Sequence, residues 1–136
     1  MKLNPTLLHH FREPKNVGCL EETSSVGTGI AYQDENVVLQ IQICIENDKI
    51  IKASFQAAGC YALIATGSWL TSTLENMTLA AAKTILPEQV IETLQLPAHK
   101  NYSAWLGTTA LEKAIYHYEV KQRMHDSINR TSCNIY

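Results

Sequence analysis

The pattern of apolar and polar residues predicts a β-hairpin in the first half of the chain. In VVLQIQICI, from Val37 to Ile45, apolar residues alternate with glutamines, which is the period of a strand with one buried face. The turn ENDK follows, and the alternation continues in IIKASFQA. We therefore expect an antiparallel pair with one solvated face. The inward residues are predicted to be Leu39, Ile41, Ile43 and Ile45 on the first strand and Ile51, Ala53, Phe55 and Ala57 on the second.

After Gly59 the period changes to that of a helix. The residues that recur on one side are Cys60, Ile64, Gly67, Leu70 or Thr71, and Leu74. Two short helices are predicted next, one opened by Thr78 and one with Pro87 in its first turn. Ser103 is predicted to cap a last long helix. That helix should turn Leu111, Ala114, Ile115 and Tyr118 inward and pair Glu119 with Arg123 on its exposed side.

The remaining segments complete the prediction of the fold. A short amphipathic helix is expected from Leu3 to Arg12, and residues 17–36 are predicted to form an edge strand followed by a loop. Strands first and helices afterwards predict an α+β fold, a small three-stranded antiparallel sheet with helices packed on one face. Residues 1–124 are predicted to form a single domain and residues 125–136, which show no period, a disordered tail.

Composition and charge exclude several functions. The chain of 136 residues carries 11 Lys and Arg against 13 Asp and Glu, a formal net charge of -2, and it has no basic cluster that would attract nucleic acid. Its uncharged runs contain too many polar residues for a membrane span, and its first residues do not resemble a secretory signal. We therefore predict a cytoplasmic protein that binds neither nucleic acid nor membrane.

One of the four cysteines has a context that suggests chemistry. Cys19, Cys44, Cys60 and Cys133 form no C-x-x-C pair, and Cys44 lies in an apolar strand, where a thiol usually behaves as a small hydrophobe. Cys60 lies at the corner between strand and helix, where free N–H groups and the helix dipole stabilise a thiolate. It is therefore a candidate metal ligand or sulfur acceptor. The alternative is a small residue packed at the edge of the sheet.

Several motifs resemble those of the IscU/NifU family of iron–sulfur cluster assembly scaffolds. The segment HHFREPKNVG is similar to the opening helix and turn of that family, VGTG to its loop, and GCYALIAT to its GCGSAIAS motif. The similarity continues through TLAAAKTI, LPAHK and ALEKAIYHY. The resemblance covers almost the whole chain from about Leu3 to Lys121, and it implies the same fold as the hydrophobic pattern.

The resemblance also implies a metal site, because the scaffolds of this family hold a [2Fe–2S] cluster with three cysteines and one aspartate. The second of those cysteines falls on Cys60, and the aspartate falls on Glu35 or Asp34. The positions of the other two cysteines are occupied by Gln33 and Ser103, and Tyr102 occupies that of a histidine. The resemblance thus implies a divergent member of the family, with one thiolate ligand in place of three. It is expected to hold a [2Fe–2S] cluster or a single iron or zinc ion weakly, or to hold none, with His99 as a further candidate ligand.

The resemblance implies partners as well, and it leaves more than one function open. Family members receive sulfur from a cysteine desulfurase, and an Hsp70-type chaperone with its J-protein grips their extended LPPVK loop. That loop corresponds here to Leu96, Pro97, Ala98, His99 and Lys100. The first hypothesis is a scaffold, not an enzyme, that forms a monomer or weak dimer. The alternatives are an adaptor that binds these partners without a cluster and, ranked last, a persulfide carrier that uses Cys60.

Overall fold

The predicted fold class is confirmed: a three-stranded antiparallel sheet in the order β1-β2-β3 carries packed helices. The computed structural model describes the backbone of residues 3–135 and the side chains of residues 3–126. The elements in chain order are α1 (Pro5–Arg12), β1 (Val26–Asp34), β2 (Val37–Glu46), β3 (Lys49–Ala58), α2 (Tyr61–Leu74), α3 (Leu79–Ala82), α4 (Pro87–Leu94), a 3-10 turn (Ala98–Lys100) and α5 (Tyr102–Ile135).

The predicted hairpin is present, but its second strand is shifted by one residue near the turn. Leu39, Ile41 and Ile43 are fully buried on β2, as the alternation predicts. On β3 the prediction was wrong for Ile51, which is 44% exposed, whereas its neighbour Ile50 is fully buried. A β-bulge between Cys44 and Ile45 interrupts the pairing register. Because the side-chain period of a strand is two, this one-residue shift exchanges the inward and outward positions.

The second face of the sheet is less solvated than the alternation predicts. The side chain of Gln42 is buried there, accepts a hydrogen bond from the backbone N–H of Leu20 at 2.8 Å and donates one to the hydroxyl of Thr28 at 3.1 Å. The N–H of Ile45 donates to the carbonyl of Ser25 at 2.9 Å. The segment between α1 and β1 therefore runs across this face and covers part of it.

Helix α5 lies against the inner face of β1 with almost no space between the two backbones. A methyl group added to Gly29 would lie 1.9 Å from the carbonyl oxygen of Ala110, and one added to Gly27 would lie 2.1 Å from that of Ala114. Only glycine permits an approach of this kind. The two glycines therefore determine how deeply α5 can pack into the sheet.

The part of α5 around Lys121 is hydrogen-bonded to the loop that precedes β1. The ammonium group of Lys121 donates hydrogen bonds to the carbonyls of Thr23 at 3.1 Å and Val26 at 2.8 Å, and it forms an ion pair with Glu22. The amide of Gln122 donates to the carbonyl of Ser24. These contacts join residues about 100 positions apart in the chain.

Two predicted contacts of α5 differ in the structure. The helix begins at Tyr102, so Ser103 lies inside it, and its buried hydroxyl has no hydrogen-bond partner; the prediction of a cap was wrong. Glu119 pairs with Lys83 at 2.9 Å rather than with the predicted Arg123.

The helix is described to Ile135, whereas side chains 127–136 and the whole of Tyr136, within the predicted tail, lie outside the described residues. The division between a domain and a tail at residue 125 stays a prediction.

Helices α3 and α4 begin at the predicted signals, whereas α1 begins two residues later than predicted. Asn4 caps α1 by accepting from the N–H of Thr6 at 2.8 Å, so that this helix begins at Pro5 rather than at Leu3. Thr78 caps α3 by accepting from the N–H of Ala81 at 3.1 Å. Helix α4 begins with Pro87, as predicted, because the missing N–H of proline costs nothing at this position. These short-range signals are readable in the sequence because both partners lie within one helical turn.

Candidate functional site at Cys60

The chain turns sharply between β3 and α2, and this turn presents Cys60. Gly59 has a φ of 153°, and a methyl group added to it would lie 2.9 Å from the Cδ2 atom of Leu63. Cys60 itself is extended, with φ -87° and ψ 176°, and occupies the N-cap position of α2. The thiol therefore lies at the positive end of a helix of 14 residues, where a negative charge is stabilised.

The hydroxyl of Tyr102 is the hydrogen-bond partner of the Cys60 sulfur, at 3.2 Å. The two residues are 42 positions apart, and the contact forms because α5 begins beside the start of α2. When the sulfur is a thiolate, the tyrosine O–H donates to it. The sequence placed Tyr102 at a histidine position of the family but did not predict it as a partner of this thiol.

The surroundings of Cys60 favour its ionised form. Burial by itself would raise the pKa of the thiol, but the hydrogen bond from Tyr102 and the N–H groups of Leu63 and Ala62 outweigh it. The positive charge of Lys100 acts in the same direction, and the pKa of Cys60 lies below its ordinary value. A thiolate is both the nucleophilic and the metal-binding form of cysteine, so the site is prepared for either chemistry.

Lys100 supplies the positive charge from the 3-10 turn before α5. Its ammonium group lies 5.5 Å from the ring centre of Tyr61 and 6.0 Å from that of Tyr102, within the range of cation–π attraction. The nearby Cys60 thiolate in turn raises the pKa of the Lys100 ammonium. The hydrogen bond with Cys60, together with burial, raises the pKa of the Tyr102 hydroxyl. Tyr102 thus remains protonated and acts as a donor.

Comparison with known proteins identifies the family of this chain. A family model described as the NifU-like N terminal domain matches residues 3–125. The chain belongs to this family. The resemblance inferred from the motifs is thereby confirmed.

Two curated relatives show how much of the NifU-like domain is shared. The chain is 34% identical over 125 residues to the iron-sulfur cluster assembly scaffold protein IscU of Haemophilus influenzae, covering 90% of this chain and 99% of that protein. It is 33% identical over 120 residues to the nitrogen fixation protein NifU of Nostoc sp., covering 82% of this chain but 40% of NifU. It therefore spans nearly all of the first relative and less than half of the second.

A solved structure supports the fold. The crystal structure of a candidate iron–sulfur cluster assembly scaffold protein for the SUF system, from Fervidobacterium islandicum AW-1, superimposes with a TM-score of 0.58. It is 14% identical and covers 82% of this chain and 95% of that chain. At that identity the similarity is one of fold alone.

The other predicted ligands of the NifU-like domain lie in turns, and their role as metal ligands stays a prediction. Asp34 ends β1, and its carboxylate accepts from the N–H of Asn36 at 2.8 Å, so that it stabilises the turn to β2. Glu35 lies exposed in the same turn, and His99 lies exposed in the 3-10 turn. Within residues 3–126 the structure contains no cluster of three or more His, Cys, Asp and Glu side chains that could hold a metal ion.

The loop predicted to be gripped as an extended peptide is folded here. Leu96 is 7% exposed and packs in a core cluster with Leu94 and Ala104. Ala98–Lys100 forms a 3-10 turn, in which the N–H of Lys100 donates to the carbonyl of Pro97 at 2.8 Å. The segment of this chain is therefore not extended, unlike the family loop to which the resemblance matched it. Capture of this segment in a peptide groove would first require this turn to open.

Proposed function

We propose that this NifU-like domain acts in iron–sulfur cluster assembly as a scaffold-like protein whose soft ligands are reduced to Cys60 in each chain. The membership of the family and the 34% identity to IscU support the process. The environment of Cys60, a thiol of lowered pKa without a metal-binding cluster around it in residues 3–126, is the observation that supports the reduction. The location of the protein in the cytoplasm stays a prediction. None of the helices in the described part of the chain has the length and apolar character to cross a bilayer.

Ligand chemistry supports this view of the site. Iron–sulfur clusters are held by thiolates, whereas Gln33 supplies a neutral amide and Ser103 a hydroxyl that stays protonated near neutral pH. Ser103 is moreover fully buried. The donors of one chain therefore fit a cluster poorly. A cluster would have to be shared by two chains through Cys60, with oxygen donors such as Asp34 or Glu35 in the remaining positions.

The test is the iron and sulfide content of the protein after purification and reconstitution without oxygen. We expect at most one cluster for two chains, with visible absorbance that disappears in Cys60→Ser. Cys19→Ser is the matched control, because Cys19 is an exposed free thiol outside the site. A full cluster in every chain, or absorbance that persists in Cys60→Ser, would refute the proposal of a reduced donor set.

The main alternative is an adaptor that binds the assembly machinery without a cluster. It is favoured by the same shortage of thiolates, together with the retention of the Leu96–Lys100 segment. A purified cysteine desulfurase and a purified Hsp70/J-protein pair are the partners to test by co-sedimentation. Lys100→Ala, with Lys113→Ala as the control, would show whether the 3-10 turn contributes. The adaptor is ruled out when neither partner binds.

A persulfide carrier is the third candidate, and the lowered pKa of Cys60 favours it. The Cys60 thiolate would attack the outer sulfur of the desulfurase persulfide, forming a new S–S bond and releasing the desulfurase thiolate. Mass spectrometry after incubation with desulfurase and cysteine would detect one added sulfur atom on Cys60. The same addition on Cys60→Ser would place the sulfur elsewhere and exclude this function.

A further inference from the structure

A groove beside residues 108–119 of α5 is not part of the site at Cys60. It has a volume of about 170 Å³ and lies between α5 and the segment from α3 to the start of α4. Its floor is apolar, with Ala82, Leu111 and Ile115 buried and Ile85 half-buried. An apolar cavity of about 150 Å³ holds a benzene molecule, so the groove can accept one large apolar side chain.

Large apolar side chains remain exposed around this groove. Tyr116 on its rim is 65% exposed, and Leu86, directly after the lining residue Ile85, is 56% exposed. Trp105 is 54% exposed and precedes Tyr116 by about three helical turns, which places both on one stripe of α5 roughly 16 Å long. Clustered exposure of this kind marks an interaction site more often than exposed residues scattered singly.

The charges at the rim are predominantly acidic. Glu112 is exposed on the groove between Trp105 and Tyr116. It has no ion-pair partner within the described side chains. The positive charge on the groove is that of Lys83, which Glu119 neutralises at 2.9 Å. The surface therefore favours a partner with positive charges beside its apolar residues.

We infer that this groove, which we call the α3–α5 groove, binds an amphipathic helix of a partner protein with one large apolar anchor and Lys or Arg residues beside it. Helices line the groove and no strand edge is open to it, so an added strand would find no backbone partners. A helix of about 11 residues matches the stripe from Trp105 to Tyr116. A symmetric pair of these chains is disfavoured because it would bring Glu112 close to its own copy.

Two synthetic helical peptides test the inference on the full chain. Both carry leucines at positions i, i+4 and i+7, one with flanking lysines and arginines and the other with glutamates in their place. The fluorescence of Trp105, which lies on the same stripe of α5 as Tyr116, reports binding, with Trp105→Phe as the control for the signal of Trp69. We expect saturable binding of the basic peptide that weakens with salt, and at least tenfold weaker binding of the acidic peptide. Equal affinity for the two would overturn the proposed charge match.

Matched variants connect binding to the groove. Tyr116→Ala and Glu112→Lys should each weaken the basic peptide at least tenfold. Tyr32→Ala and Glu13→Lys are the controls, because they change an exposed tyrosine and an exposed glutamate elsewhere. Equal losses in the controls would refute the location. Sedimentation of the free protein tests whether a second copy of the chain occupies the groove instead. Self-association that Tyr116→Ala abolishes would identify a second copy as the occupant and overturn the inference.

Discussion

Replacing Gly29 by alanine should strongly destabilise the fold, because the contact between β1 and α5 leaves no room for a methyl group. The added Cβ would lie 1.9 Å from the carbonyl oxygen of Ala110 and 2.4 Å from the amide nitrogen of Ala114. Both obstacles are backbone atoms, so no side-chain rotation relieves the overlap. The helix must withdraw from the strand by more than about 1 Å in a densely packed interior.

The cost can be placed on the scale of other overpacked cores. Overpacking by a methylene typically costs about 1–3 kcal/mol, and we expect about 3 kcal/mol here because backbone must move. This is a large share of the roughly 5–15 kcal/mol that stabilises a domain. With a urea m-value of about 2 kcal/mol/M, the unfolding midpoint should fall by roughly 1.5 M.

Equilibrium unfolding in urea, followed by far-ultraviolet circular dichroism and tryptophan fluorescence, is the assay. Ile30→Ala is the control, since Ile30 follows Gly29 in β1 with its side chain 45% exposed on the other face. We expect that variant to lose less than about 1 kcal/mol. A Gly29→Ala protein within about 0.5 kcal/mol of the parent, at an unchanged m-value, would refute the role assigned to the glycine contact.

Three further predictions concern single side chains. Tyr102→Phe removes the hydrogen bond to Cys60, so the pKa of the thiol should rise. Because such a bond is worth about 1 kcal/mol at this half-exposed position, iodoacetamide alkylation at pH 7 should slow roughly fivefold. An unchanged dependence of the alkylation rate on pH would contradict this. Lys121→Met removes hydrogen bonds to two backbone carbonyls and should cost about 1–2 kcal/mol in urea unfolding; a loss below about 0.3 kcal/mol would show that water replaces them. Burial, aided by the charges of neighbouring cations, lowers the pKa of His10, whose Nδ1 lies 2.7 Å from the hydroxyl of Ser68. The contribution of neutral His10 to the free energy of unfolding is therefore complete above pH 6.5 and is lost as the pH falls from 6.5 towards the folded-state pKa. His10→Gln should reduce this dependence of the unfolding free energy on pH. An equal pH dependence in both proteins would exclude His10 as its source.

Much of the fold follows from contacts between residues close in the chain. The alternation from Val37 to Ile45 predicted the buried strand, and the Thr78 cap and Pro87 in the first turn predicted two short helices correctly. Such signals depend on backbone periods and on partners one turn away, which the sequence shows directly. The prediction failed at Ile51, because a bulge in one strand depends on how it pairs with the other.

The site divides in the same way. The sequence by itself determined that Cys60 stands at the start of a helix after a glycine, since the change from strand period to helix period is written there. The resemblance to the family predicts which cysteine ligands are replaced, at Gln33 and Ser103. Only the tertiary structure decided that Tyr102 and Lys100 lie beside Cys60. The reason is physical: these partners lie tens of residues from Cys60, and the packing of α5 against the sheet sets their distances to it.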